Sequence, residues 1–496
     1  MSATAETLVA EYFRSGTLSG LPKDHYIDGR FIPPSNGASL EIHDPGAGKV
    51  FARVADASPE DVDRAVASAK RGLETWKRLK PAERGRVLLA TAAKLREQAE
   101  RLAVIEALHS GKTLAEARGD VGGAARLFEY YGGAADKIQG DSIPLGRDYM
   151  GFTLIEPVGV TAHIIPWNYP ISTFARSVAP ALAAGCSVVA KPAETTPLTA
   201  LLVAQILSEA GLPAGVCNVV AGSGKGAGAA LVAHEGIDHV SFTGSTVTGK
   251  SVMQSAATHF ASVTLELGGK SPVIALADCD IEAAANGVIG AIYENAGQIC
   301  SAGSRLVVER PIREKLVGRI VAKAEKLTVG HGLKGHDVGA INSKRQLDKV
   351  MGFLEDATRR GRRLATGGRR VTDPDHPEGW YVAPTVIDDL PINDPCVQEE
   401  IFGPVLAVQV VDSPEEALAA ANGTRYGLMA GIYTRDMQNA LALCRDLRSG
   451  QVTVNDYWGG GVEIPFGGTG HSGFGREKGL EALRTYSRVK SMVHRL

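Results

Sequence analysis

Three short segments of this chain carry side chains able to share one reaction. Cys300 lies in Gly297-Gln298-Ile299-Cys300-Ser301-Ala302-Gly303-Ser304-Arg305. Glu266 lies in Thr264-Leu265-Glu266-Leu267-Gly268-Gly269-Lys270, and Asn168 in Pro166-Trp167-Asn168-Tyr169-Pro170. A thiol attacks carbonyl carbon, a carboxylate activates water, and an amide N–H donates to a developing oxyanion. A free thiol is only about 3% thiolate at pH 7, so Cys300 requires local activation. Glu266 ends a strand-like run before two glycines, and a carboxylate at a partly dry strand end has a raised pKa suited to a general base. One well-placed donor such as Asn168 is worth about 2.7–4 kcal/mol in the transition state.

A fourth segment, Ser241-Phe242-Thr243-Gly244-Ser245-Thr246-Val247-Thr248-Gly249, passes from a strand through a glycine turn into a helix. Helix N-termini bind phosphates through free N–H groups and positive partial charge. This segment is neither a Rossmann fingerprint nor a Walker loop. Gly222-Ser223-Gly224-Lys225-Gly226 also departs from the Walker pattern, because glycine follows its lysine.

The elements that must hold these segments alternate. Apolar runs at 158–165, 187–190, 217–220, 239–242, 263–265 and 273–276 read as strands. Helical patterns at 172–184, 197–210, 226–234 and 246–259 separate them, which predicts a parallel, doubly wound sheet. A second α/β pattern spans 281–446. Asp28-Gly29 predicts a hairpin turn. Ser58-Pro59-Glu60-Asp61 starts a helix with an N-cap and proline at its first position. The scattered charge of 58–118 predicts a solvated helical layer.

The 496 residues suffice for several domains, and 44% hydrophobic with 22% charged residues fits an ordinary globular protein. A net charge of −2 and no basic run disfavour nucleic acid as a partner. The six cysteines form no C-x-x-C pair, so neither a metal site nor a disulfide framework is expected. No apolar run is long enough to span a membrane, and the N-terminus lacks the pattern of a secretory signal, so a cytoplasmic location is expected.

Together these segments resemble the aldehyde dehydrogenase superfamily, from about residue 26 to 493. The resemblance implies an α/β fold with a Rossmann-like parallel-sheet cofactor domain (1–130 and 151–264), an α/β catalytic domain (265–465) and a β oligomerisation extension (131–150 and 466–496). It implies that Cys300 is the nucleophile, Asn168 the oxyanion donor and Glu266 the base that hydrolyses the thioester. It further implies NAD as cofactor, with NADP as the alternative. Ile164, Ile165, Pro166, Trp167, Phe242, Gly244, Ser245 and Leu267 would line its site. Lys191 and Glu194, near Gly224 and Gly228, match the family's ribose-binding pair; a carboxylate there favours NAD over NADP. Glu400 and Phe402 match its clamp on the nicotinamide half. A homodimer or homotetramer is expected, and the implied partner is a small-molecule aldehyde.

Substrate choice is less determined. Arg176 aligns with an arginine that grips the carboxylate in succinate-semialdehyde dehydrogenases, but Glu294 stands where those enzymes place a second arginine. Tyr169, Tyr457 and Glu463 are the other candidate substrate contacts. Arg176 pairing with Glu294 would leave a neutral tunnel; unpaired acids would suit an aminoaldehyde. Ser177 replaces a lysine that many relatives use for proton relay. Rival readings are a CoA-acylating dehydrogenase, which Glu266 argues against, a cysteine hydrolase without redox chemistry, and a non-catalytic structural protein.

Overall fold

The alternation between residues 160 and 266 folds into one twisted sheet in a computed structural model that describes residues 4–496. Its parallel centre runs Cys217–Val219, Ser187–Pro192, Val160–Ile165, His239–Thr243, Ser262–Glu266. The chain starts at Val160–Ile165, winds outward to one side, then returns to the other side at His239–Thr243. Those two neighbours mark the switch in winding direction, and their carboxyl ends are where ligands bind in such sheets. Ser187–Pro192 is buried along its whole length, as a strand covered on both faces must be. The hairpin His25–Ile27/Arg30–Ile32 extends one edge antiparallel. Asp28 and Gly29 supply the two positive φ angles (56° and 77°) that its turn requires. Gly473–Phe474 closes the other edge against Leu265 and Glu266.

A second, seven-stranded sheet contains Thr385–Asp388, Val405–Val411, Arg305–Glu309, Pro272–Ala275, Met429–Tyr433 and Gln451–Val454 in parallel, with Arg363–Thr366 antiparallel at one edge. Glu266 is the last strand residue of the first sheet, and Pro272 is the first of the second. The carboxylate therefore sits at the covalent junction of the two sheets.

The region 58–118 differs from the solvated layer expected. It contains Pro59–Trp76, Pro81–Glu97, Ala99–Ser110 and the start of Leu114–Ala134. Pro59–Trp76 has the predicted start: Ser58 Oγ accepts from Asp61 N at 3.3 Å and completes a capping box. Ala99–Ser110, however, is buried from Leu102 to Ser110. Its charges are partnered internally rather than by water. Glu106 accepts from Ile171 N (3.1 Å) and Thr199 Oγ1 (2.8 Å), and Lys112 pairs with Asp120.

Ser142–Pro144, Tyr149–Pro157 and Ser487–Arg495 form a separate antiparallel sheet, registered from Ser487↔Pro157 to Arg495↔Tyr149. These bounds depart from the expected 131–150 and 466–496. Residues 131–134 still belong to Leu114–Ala134, and the helices pack closely there, since a Cβ on Gly85 would lie 2.4 Å from Gly132 O. Tyr149–Pro157 continues the extension past residue 150, and Gly473–Phe474 pairs with the first sheet instead. Among the described residues, no helix is long and apolar enough to cross a membrane.

Candidate active site

Val160–Ile165 ends at the switch point and releases the chain into Pro166-Trp167-Asn168-Tyr169 before the helix Pro170–Ala184. Cys300 reaches the same place from the second sheet. After the helix Ile281–Tyr293, Asn295, Ala296 and Gly297 all take positive φ (48°, 52° and 71°). For residues other than glycine this conformation costs roughly 1–2 kcal/mol each, so the surroundings must impose it. Several side chains do. Asn295 Nδ2 donates to Asn168 O (3.0 Å) and Gln298 O (3.3 Å); Gln298 Nε2 donates to Asn295 O (3.0 Å) and Ala340 O (3.2 Å). Asn342 N donates to Gln298 Oε1 at 2.8 Å. Asn168 Nδ2 donates to Gln298 O at 2.9 Å, two residues before the thiol. An amide nitrogen carries two hydrogens, so one remains for an oxyanion.

Glu266 is buried, and neither carboxyl oxygen has a hydrogen-bond partner. Burial raises its pKa well above the ordinary carboxylate value, the Glu477 carboxylate adds to the rise, and Arg176 and Arg476 oppose it. Burial likewise pushes the Cys300 thiol up to about 11, against the pull of the Arg176 guanidinium. The thiol at rest is therefore protonated, and the Arg176 guanidinium is the strongest influence against that tendency.

Arg176 corrects an expectation. It pairs with Glu477, not Glu294, and lies over the Phe466 ring at 5.2 Å. Glu294 instead accepts from Tyr169 Oη at 3.4 Å. The C-terminal segment packs over the helix Pro170–Ala184 and presents the acid there. Sequence spacing gives no signal that Glu477 would reach Arg176. Ser177 closes onto its own helix, donating to Thr173 O at 3.2 Å.

Two cavities share Tyr169, Thr173, Arg176 and Cys300. The first, about 210 Å³, brings Pro166, Trp167, Gly244, Ser245, Glu400 and Phe402 together with Asn168, Glu266 and Cys300. The Trp167 and Phe402 rings meet edge to face at 5.2 Å. Glu400 accepts from Gly269 N at 2.9 Å, and a Cβ on Gly268 would lie 2.3 Å from its carboxylate. Only glycine fits at 268. Ser245 caps the helix Thr246–Ala257. Sequence reasoning missed Thr243, Arg345, Gln346 and Lys349 on this wall. Gln346 Nε2 holds Ile401 O (3.0 Å) and Phe402 O (2.9 Å), a role no local pattern signals in a helical glutamine.

Other expected cofactor residues lie off this wall. Ile164 and Phe242 face each other in strand register beneath it, Ile165 follows in the same strand, and Leu267 packs against Gly249. Lys191 and Glu194 form a second group, 3.6 Å apart, with Lys191 Nζ donating to Gly222 O at 3.1 Å. Gly228 adjoins Lys191 and Gly224 adjoins Glu194. Residues 224–228 form a π-helical turn there, and the α-helix expected over 226–234 is confined to Ala229–Ala233.

The second cavity, about 440 Å³, is a funnel with largely apolar walls: Leu127, Ile299, Met429, Trp458, Val462 and Phe466. Tyr169, Arg176 and Glu294 also line it, but two expected substrate contacts do not. Tyr457 is buried behind the wall and donates to Ser301 O at 2.6 Å. Glu463 turns outward to Arg126 at 2.6 Å.

Residues 31–492 match the model of the aldehyde dehydrogenase family. The chain belongs to that family. A curated Aspergillus niger aldehyde dehydrogenase is 42% identical over 478 residues, covering 96% of this chain and 95% of its own. An indole-3-acetaldehyde dehydrogenase mutant of P. syringae, solved with NAD+ and IAA, superposes with a TM-score of 0.96 at 38% identity over 100% of both chains. The betaine aldehyde dehydrogenase of Staphylococcus aureus, solved with NAD+, gives 0.95 at 36% identity over 98% of each. The α/β fold with two parallel sheets is thus the family's fold, and the chain is an enzyme of the aldehyde dehydrogenase type.

Proposed function

We propose that this enzyme oxidises an aldehyde to the carboxylic acid with NAD, through a covalent intermediate on Cys300. The observation that carries the reading is the meeting of the two cavities at Cys300, with a buried, unpartnered Glu266 on the same wall. The first cavity fits the nicotinamide half of a dinucleotide. It has a helix N-terminus at Ser245, a bare backbone at Gly244 and Gly268, and a carboxylate at Glu400 able to accept ribose hydroxyls. Lys191 and Glu194 would hold the adenosine ribose, and the Glu194 carboxylate disfavours a 2′-phosphate. Bound there, NAD would supply the hydride acceptor needed to oxidise a Cys300 thiohemiacetal to the thioester.

The chain's own residues do the rest. Cys300 Sγ gives its proton to solvent and attacks the aldehyde carbon, and Arg176 favours the thiolate. Asn168 Nδ2 and the Cys300 backbone N–H donate to the carbonyl oxygen as it gains charge. In its ionised form, the minor one below its raised pKa, Glu266 takes a proton from the water that attacks the thioester and passes it to the Cys300 sulfur as the acid departs. The apolar part of the funnel favours a bulky aldehyde, and Lys478, a cation on the same wall beside the Phe466 ring, disfavours an aminoaldehyde. The exposed edge strand Ser487–Arg495, with Val489 and Val493 open to solvent, supports pairing with a second copy.

NADH formation with NAD and a panel of aliphatic, aromatic, amino and carboxylate-bearing aldehydes, run beside Cys300→Ala, tests this. Turnover that vanishes in the variant supports the reading. No NADH from any aldehyde, together with no NAD binding, overturns it.

A further inference from the structure

The turn that delivers Cys300 is held from outside by a residue of the N-terminal helical layer. Glu116 stands at the third position of the helix Leu114–Ala134 and closes its capping box: Oε2 accepts from Thr113 N and Thr113 Oγ1, both at 2.8 Å. A capping-box acid ordinarily serves only its own helix. Here the other oxygen, Oε1, accepts from the backbone N of Asn295 at 2.6 Å, across 179 residues of sequence. Asn295 opens the run of positive φ angles, and its side chain grips the carbonyls of Asn168 and Gln298. Asn168 in turn donates to Gln298 O. A single carboxylate thus fixes the start of a strained turn whose end carries the thiol and whose side chain steadies the oxyanion donor.

We propose that Glu116 is a positioning residue for the reaction: through Asn295 it sets the turn that aims Cys300 and Asn168 at the same carbonyl. This rests on the roles given to those two residues under the proposed function. The competing role is structural only, with Glu116 needed for the helix cap and nothing else. Thr113 separates the two. Thr113→Val removes the hydroxyl from the cap but leaves Asn295 N its acceptor. Glu116→Ala removes both. Glu116→Gln keeps one acceptor oxygen, which serves Thr113 or Asn295 but not both.

The test compares full-length Thr113→Val, Glu116→Gln and Glu116→Ala by melting temperature, NAD affinity and the rate of the first NADH burst. Misplacing reacting groups by about 1 Å costs on the order of a hundredfold, so Glu116→Ala should slow the burst about ten- to a hundredfold, with Glu116→Gln between it and wild type. NAD affinity should stay within about twofold in all three, and Thr113→Val should keep the wild-type burst within about twofold, because uniform binding is untouched. Equal burst losses in Thr113→Val and Glu116→Ala would overturn the inference, as would a wild-type burst in Glu116→Ala. If Glu116→Ala does not fold, Glu116→Gln decides: a slowed burst at a melting temperature no lower than that of Thr113→Val supports positioning, and a wild-type burst at the wild-type melting temperature, where the oxygen stays with Thr113 and Asn295 N has lost its acceptor, refutes it. Cys300→Ala distinguishes the two levels. If it still forms NADH, the proposed function fails; if it is inactive while Glu116→Ala bursts normally, only this inference fails.

Discussion

Replacing Glu266 by glutamine should separate the two halves of the reaction. Glutamine keeps the shape of the buried side chain but cannot take a proton from water. General-base catalysis contributes typically about 10²–10⁴-fold, or roughly 2.7–5.4 kcal/mol of barrier. Glu266→Gln should therefore complete one fast turnover, with NADH close to one per active site, and then slow by that factor. Intact-protein mass spectrometry should find the acyl group retained on Cys300. Stability supplies a second readout with a definite sign. Burial first, and then the Glu477 carboxylate, raise the pKa of Glu266 in the folded protein. Between the ordinary glutamate value and the raised one, the unfolded chain is ionised there while the folded chain is not. Wild type then loses about 1.4 kcal/mol of stability per pH unit as pH rises, whereas the variant does not. At about 2.1 cal/mol/K per residue, a chain of 496 residues converts this to about 1.3 °C per pH unit. The melting temperature of Glu266→Gln should gain on wild type by that slope from about pH 5 upward. A variant with no burst would mean that Glu266 is needed to form the thioester, and undiminished steady turnover would remove it as the base. A flat temperature difference would refute the claim that its carboxyl titrates high.

Asn168→Ala should lower kcat/KM by about 10²–10³ with NAD affinity retained, which fluorescence titration checks. Arg176→Met strands Glu477 as a buried charge and should cost about 3–5 kcal/mol, which a compensating Glu477→Gln recovers in part. The same variant should shift alkylation of Cys300 by iodoacetamide to higher pH, because the cation opposing the thiol's raised pKa is gone. Glu194→Gln should raise the NADP-to-NAD ratio of kcat/KM about tenfold by removing charge repulsion of a 2′-phosphate; an unchanged ratio would take Glu194 out of cofactor choice.

What was legible in the sequence was mostly local. The apolar runs up to residue 265 became strands of the first sheet and 273–276 a strand of the second, because a strand buried on both faces must be mostly apolar. Asp28-Gly29 and Ser58-Pro59 had their turn and cap written into a few adjacent residues. Cys300 and Glu266 stand in glycine-rich segments and Asn168 in a turn between two prolines, and the structure brings all three to one cavity. The failures involve choices between distant partners. Arg176 had two acids to choose from, and the packing of the C-terminal segment over its helix selected Glu477. Glu463 and Tyr457 were expected to touch the substrate, but one turns to Arg126 and the other to Ser301. The charges at Glu106 and Lys112 look solvent-facing in a linear reading, because nothing nearby names Ile171, Thr199 or Asp120 as their partners.

The two cavities have four residues in common, and the thiol is one of them. On the proposed function, cofactor and aldehyde would reach the sulfur from two different cavities. A blocker seated in the funnel and one seated in the dinucleotide cleft should bind additively rather than compete. Joining them by a short linker past Cys300 makes the second contact intramolecular, at millimolar effective concentration for a short flexible tether. Two weak ligands would then act as one tight one. The dinucleotide half could be common to the family, while the selectivity came from Leu127, Met429, Trp458 and Phe466.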